Sequence, residues 1–284
     1  MKKNVLYILL SVLIITVLVA TVTNIWARNN RNRRLSQAPT EKNLRNKALS
    51  IDSLLWVIEN HAPEESLLLV RKAYITSYNP RTLQPNWVAW ILTGDHAFGN
   101  LSRSSDFRED EEVGYPRATL QDYRGSGYTR GHMCPAGDNK WDAQAMSETF
   151  LLSNMCPQTN RSNSGTWGSI EQACRNWAQK FGKIYIVCGP VFTEGESLQH
   201  IGPHKIPVPE RFFKVVLCLQ RNNPMAIGFI CLNHETEKMR VSQYVTTVDE
   251  VERLTGMDFF SALPDKLEEK VESTADLYKW NRRW

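Results

Sequence analysis

The residues best able to do chemistry sit in two short runs. The first is Gly127-Tyr128-Thr129-Arg130-Gly131-His132-Met133-Cys134-Pro135-Ala136-Gly137-Asp138. The guanidinium of Arg130 can hold a phosphate through two nitrogens. The imidazole of His132, with an ordinary pKa near neutrality, can take a proton from water. Strand alternation points Arg130 and His132 to one face. Gly131 between them permits a backbone shape closed to other residues. Taken alone, an Arg-Gly-His triplet is more often loop decoration than a site.

The second run is Ser153-Asn154-Met155-Cys156-Pro157-Gln158, followed by Asn163, Trp167 and Glu171. Asn163 lies just before a helix predicted to begin near Thr166. Its amide oxygen can ligate a hard cation such as Mg²⁺. One neutral protein ligand leaves most positions to water and phosphate oxygens, so such an ion stays a strong Lewis acid. Glu171 follows two helical turns later, on the same side of the helix, and can orient a metal-bound water. Judged alone, Asn163 reads as an N-cap or turn residue and Glu171 as a solvent-facing charge.

Together the two runs resemble the DNA/RNA non-specific endonuclease family of ββα-metal (His-Me finger) nucleases. The family's Asp-Arg-Gly-His block reads Thr129-Arg130-Gly131-His132 here. Its Asn-x-x-Pro-Gln block reads Asn154-Met155-Cys156-Pro157-Gln158, and Asn163, Trp167 and Glu171 keep the family spacing. Further ordered blocks include Pro85-Asn86-Trp87-Val88-Ala89-Trp90, Cys188-Gly189-Pro190 and Phe212-Phe213-Lys214-Val215, so the likeness covers roughly residues 70–275. The resemblance implies an α+β fold, a central mostly antiparallel sheet flanked by helices. It implies His132 as general base, Asn163 as metal ligand, Glu171 near the metal, Arg130 on the phosphate and Asn154 beside the site. It implies Mg²⁺, with Mn²⁺ able to substitute, DNA and RNA as substrates, 5′-phosphate products, and often a homodimer. Thr129 departs from the family aspartate, a residue that supports the loop. A catalytically inactive, membrane-attached nucleic-acid-binding protein and a phosphodiesterase for another substrate remain alternatives on the residues alone.

Beyond these blocks, Arg124, Lys140 and Arg161 are candidate phosphate contacts. Trp167 and Trp177 recur at helical spacing with Ile170 and Cys174, so they read as packing residues rather than base-stacking platforms. Trp141 is the better candidate for a surface contact.

The elements that must position these residues follow from pattern. Strands are expected at Leu67–Ile75, Trp87–Leu92, Leu151–Met155, Lys183–Cys188, Phe212–Leu219 and Met225–Cys231. Helices are expected at Leu49–Ile58, Asp142–Phe150, from Thr166 to a stop at Gly182, at Thr246–Leu254 with Thr247 as cap, and at Leu263–Lys270. Residues 97–127 read as irregular and Asn160–Gly165 as a polar loop. This mixture is α+β rather than a regular alternation.

The chain has 284 residues and a formal charge of +4. Residues 1–47 carry nine basic residues and one acid, which leaves 25 basic and 29 acidic residues on the remainder. The catalytic part is therefore mildly acidic, and its bulk charge is no argument for nucleic acid. Lys2 and Lys3 precede an apolar run, so residues 1–27 are expected to be a signal peptide or transmembrane anchor. Residues 28–48 read as a basic polar linker, and 49–284 as the nuclease domain with a core of about 65–275. Export, with membrane attachment through the N-terminal segment or secretion after cleavage, is the expected localisation. It would permit up to three disulfides among six cysteines, several of which can equally be buried thiols.

Overall fold

The computed structural model describes residues 52, 55, 57–59, 65–193, 198–219, 224–234 and 240–282. They fall within one unit, Asp52–Trp284. Its frame is a seven-stranded sheet. In chain order the strands of this sheet and of three small pairs are β1 (Val57–Glu59), β2 (Leu67–Val70), β3 (Tyr74–Asn79), β4 (Gln84–Thr93), β5 (Thr129–His132), β6 (Met155–Gln158), β7 (Lys183–Val191), β8 (His200–Ile201), β9 (Ile206–Pro207), β10 (Arg211–Cys218), β11 (Met225–Leu232), β12 (Val245–Thr246) and β13 (Met257–Phe259). The large sheet runs β12-β11-β10-β7-β4-β3-β2. Every neighbouring pair in it is antiparallel.

The sequence explains the order. β4, β7 and β10 carry nearly continuous apolar runs and are buried along most of their length. Strands covered on both faces read that way, and these three hold the sheet's centre. Helices α1 (Leu120–Tyr123), α2 (Ala143–Glu148), α3 (Gly168–Phe181), α4 (Val248–Thr255), α5 (Asp265–Glu272) and α6 (Leu277–Asn281) complete the described fold. The α+β expectation and the mostly antiparallel sheet hold.

The catalytic candidates do not ride on the large sheet. β5 and β6 form a separate antiparallel pair, with Thr129 opposite Gln158 and His132 opposite Met155. α3 covers this pair and the sheet together. Trp167, Ile170, Cys174 and Trp177 are all buried and belong to the main core with Trp90, Ile186 and Phe229. The helical spacing of those residues thus marked packing, as expected. Gly182 ends the helix with a φ of 83°, a left-handed conformation that favours glycine.

Several local expectations change. Leu49–Ile58 was expected to be helical, but Val57–Glu59 is a strand paired with β13; a partner two hundred residues away outweighs local pattern in so short a piece. The expected strand at Leu67–Ile75 is two strands with a turn between them. Leu152–Asn154 is a tight helical turn, and the strand begins only at Met155. Ser162–Trp167 forms a wide π-helical turn that runs directly into α3, not a loop. The hydroxyls of Ser164 and Ser169 donate to the Asn160 and Gly165 carbonyls. Polar side chains facing the turn's own backbone leave no apolar period to read.

The cysteines form no disulfide. All six are buried thiols within the main core. The expectation of membrane attachment, a signal segment and export is withdrawn. No helix among the described residues is long and apolar enough to cross a membrane. Residues 1–27, on which that expectation rested, lie outside the described residues.

Candidate active site

Gly131 is needed for closeness, not for an unusual φ. A Cβ built there would lie 2.0 Å from Oε1 of the fully buried Gln158 on β6. The absence of a side chain lets β5 and β6 approach and puts His132 at the end of a fixed pair. Its backbone carbonyl accepts a hydrogen bond from Nε1 of Trp167 at 3.1 Å.

The His132 ring is only 6% exposed. Phe107 tilts against it at 5.5 Å and Phe150 meets it edge-on at 5.0 Å. Neither ring nitrogen bonds to a described residue, and Nε2 is buried. Burial, with the charges of Arg103 and Arg130, pushes its pKa down to about 3. The imidazole is therefore neutral at physiological pH.

The two arginines use the same aromatic walls. Arg130 lies 4.0 Å from the Phe107 ring centre and Arg103 lies 5.7 Å from that of Phe150. Arg130 and His132 thus share Phe107, as strand alternation predicts. Arg103 is exposed and was not foreseen. It belongs to a segment with no periodicity, and a lone arginine there carries no sequence signal. Its charge bears on both His132 and Glu171.

Asn163 sits in the wide turn ahead of α3. Its Nδ2 donates to Oγ1 of Thr129 at 3.0 Å. The same hydroxyl donates to the Gln158 carbonyl at 3.0 Å. Thr129 thus uses both roles of a hydroxyl, and it turns the amide so that Oδ1 is left without a described partner. A free amide oxygen suits a hard divalent cation that keeps most of its water, and the helix that follows the turn carries a half-buried carboxylate.

That carboxylate is Glu171, half-buried rather than solvent-facing. Burial pushes its pKa up to about 7, Lys214 opposes the shift, and Asp138 adds to it. Lys214 is 0% exposed, with its ammonium 4.2 Å from the Trp167 ring centre and 5.0 Å from that of Trp90. Asp138 accepts from Trp90 Nε1 at 3.1 Å and from Arg175 Nη1 at 3.0 Å. A buried charge network therefore lies behind α3.

Asn154 is fully buried and engaged with backbone. Its Oδ1 accepts from the Cys134 N–H at 2.9 Å, and Nδ2 donates to the Cys134 and Thr149 carbonyls. It braces the loop after His132. Of the candidate phosphate contacts, Arg124 and Arg161 are exposed and Lys140 is half-buried. Arg161 stands two residues before Asn163, within reach of the turn; no contact ties Arg124 or Lys140 to His132. Trp141 stacks on His96 with ring centres 4.3 Å apart.

The model of the DNA/RNA non-specific endonuclease family matches residues 23–266. A nuclease of Nostoc sp. is 34% identical over 223 residues, spanning 75% of this chain and 80% of that one. Mitochondrial endonuclease G of Bos taurus is 33% identical over 209 residues, spanning 69% and 70%. A chain in the crystal structure of the EndoG/EndoGI complex superposes with a TM-score of 0.68 at 28% identity, over 72% of this chain and 90% of that one. The chain belongs to the DNA/RNA non-specific endonuclease family, and it is a metal-dependent nuclease of DNA and RNA that is not selective for the sugar.

Proposed function

We propose that the protein cuts the phosphodiester backbone with His132 as general base and Asn163 as the protein ligand of the catalytic cation. The observation that carries this reading is a neutral, unpartnered imidazole held between two arginines on aromatic walls. Because Nε2 is walled in, Nδ1 is the nitrogen that takes the proton. Water attacks phosphorus, its proton passes to Nδ1, the bond to O3′ breaks, and O3′ takes a proton from solvent. The products carry a 5′-phosphate and a 3′-hydroxyl.

Arg130 and Arg103 hold the non-bridging oxygens and stabilise the charge that grows there. Asn163 Oδ1 would hold the cation, with Glu171 orienting water beside it. Mg²⁺, or Mn²⁺ in its place, would supply Lewis acidity for the charge that develops in the reaction. Asn154 and Thr129 position these groups without touching substrate. Arg161, Arg124 and Lys140 serve as outer phosphate contacts. Contacts confined to phosphate carry no base information, which fits low sequence selectivity.

The test is cleavage of supercoiled plasmid and of RNA by the full-length chain, with Mg²⁺ and with EDTA. Wild type is expected to cut both, EDTA to stop it, and His132→Ala and Asn163→Ala to lose most activity. Wild type that cuts neither polymer with Mg²⁺ or Mn²⁺ overturns the proposal, as does a His132→Ala variant of normal rate.

A further inference from the structure

A second cluster of acids lies on elements that carry none of the nuclease residues. Asp249 and Glu252 are on α4, and Glu272 ends α5. One carboxylate oxygen from each comes within 4.8 Å of the other two. That is the span of two ligands on opposite sides of an ion with oxygens about 2.4 Å away, the distance usual for Ca²⁺.

An independent feature makes this more than a group of surface acids. Glu272 is only 5% exposed, and its Oε1 is buried with no hydrogen-bond partner. A buried carboxylate oxygen without a partner is costly. The largest charges that bear on Glu272 are negative, from Glu252, Glu268, Asp249 and Asp258. Arg253, the basic residue of α4, is engaged by Glu250. One acid is also held in place: Glu252 Oε1 accepts from the Phe259 N–H at 2.8 Å, which anchors that carboxylate to β13.

We propose that Asp249, Glu252 and Glu272 form a second divalent-cation site, suited to Ca²⁺, that ties α4 to α5. Three carboxylates with variable reach favour Ca²⁺ over Mg²⁺, which keeps more of its water and takes fewer carboxylates. The bound ion would neutralise three acids that make no ion pair within 4 Å among the described residues. Its role is to hold the C-terminal helices, not to act on phosphate. The site itself uses none of the nuclease residues; only the test below relies on the proposed role of Asn163.

The test uses full-length protein stripped with EDTA, carrying Asn163→Ala so that the nuclease centre contributes no cation. Calorimetric titration with CaCl₂ is expected to show one Ca²⁺ per chain, and the melting temperature to rise as it binds. Glu272→Gln keeps the shape and removes the charge; it is expected to weaken Ca²⁺ binding by about tenfold or more and to remove the thermal response. Asp249→Asn, at an exposed position, gives the same loss in direction if Glu272→Gln does not fold. No Ca²⁺ bound at millimolar concentration overturns the site. So does unchanged binding in both variants, or a protein in which Glu272→Gln stabilises while Ca²⁺ does nothing, since the acids would then simply share a proton.

Discussion

Thr129 stands where the family places an aspartate, and the structure gives it a specific task that can be removed. Thr129→Val keeps the size and the β-branched shape but deletes Oγ1. Asn163 Nδ2 then loses its 3.0 Å partner, and the amide is free to turn. Asn163 is half-buried, so water can replace the lost partner and the cost stays near the middle of the usual range. One net hydrogen bond is worth about 1 kcal/mol. That corresponds to roughly a fivefold change in an equilibrium. The expectation is a rise of about fivefold in the Mg²⁺ concentration for half-maximal plasmid cleavage, with the rate at saturating Mg²⁺ within about twofold of wild type. Thr129→Ser keeps the hydroxyl and should behave like wild type. Initial rates over a Mg²⁺ titration measure all three proteins. A Thr129→Val protein with unchanged Mg²⁺ dependence and a lower saturating rate would refute the idea that Thr129 acts through the cation ligand. An equal defect in Thr129→Ser would assign the effect to packing instead.

Other consequences follow from the same contacts. His132, pushed down to about 3 by burial, should keep its neutral NMR signature in EDTA from pH 8 to pH 5, while Glu171, pushed up to about 7, loses its proton as pH rises through neutrality. The rate should therefore climb through a limb near pH 7 that Glu171→Gln abolishes; a His132 signal titrating near 6.5 contradicts the burial argument. The His132 shift also has a stability sign: below about pH 6.5 the unfolded chain binds a proton that the folded chain refuses, so stability falls as pH drops through that window. Gly131→Ala forces a Cβ against Gln158 and should cost about 1–3 kcal/mol in urea unfolding. Adding Gln158→Ala should recover part of that loss, and a fully additive double variant would deny the steric reading. Asn154→Ala strands the Cys134 and Thr149 backbone groups, so a loss of about 2–4 kcal/mol is expected; a stable Asn154→Ala protein that is merely inactive would make Asn154 a substrate contact.

The sequence was most legible where burial repeats. β4, β7, β10 and β11 announced themselves by apolar runs, and α3 by Trp167, Ile170, Cys174 and Trp177. It was least legible where a partner distant in the chain decides the outcome. Val57–Glu59 became a strand because β13 was available. The wide turn at Ser162–Trp167 hid because its polar side chains answer to backbone carbonyls and to the site rather than to the core. The same split runs through the active site. His132, Arg130, Asn163 and Glu171 were named from type and spacing. Arg103 was not, since only the Phe150 wall gives it a place. Asn154 is placed beside the site by resemblance, and its hydrogen bonds show what it does there: it braces the loop after His132. Gly131 was credited with backbone freedom, but the relevant quantity is the distance to Gln158.

Charge shows how local structure overrides composition. Residues from 48 onward carry more acids than bases, yet they must accept a polyanion. In the proposed mechanism a phosphate near His132 would meet Arg130, which lies over the Phe107 ring, and Arg103, which lies near that of Phe150, so positive charge would stand where it is used. Beneath them, Lys214 is wholly buried: burial opposes its charge, and the nearby carboxyl groups of Glu171 and Asp138 act against that effect. In return Lys214 opposes the rise in the Glu171 pKa. Without that ammonium, burial and Asp138 would push the Glu171 pKa higher still, and a protonated acid is a poor partner for cation-bound water. The buried lysine on β10 thus joins the core of the sheet to the protonation of Glu171.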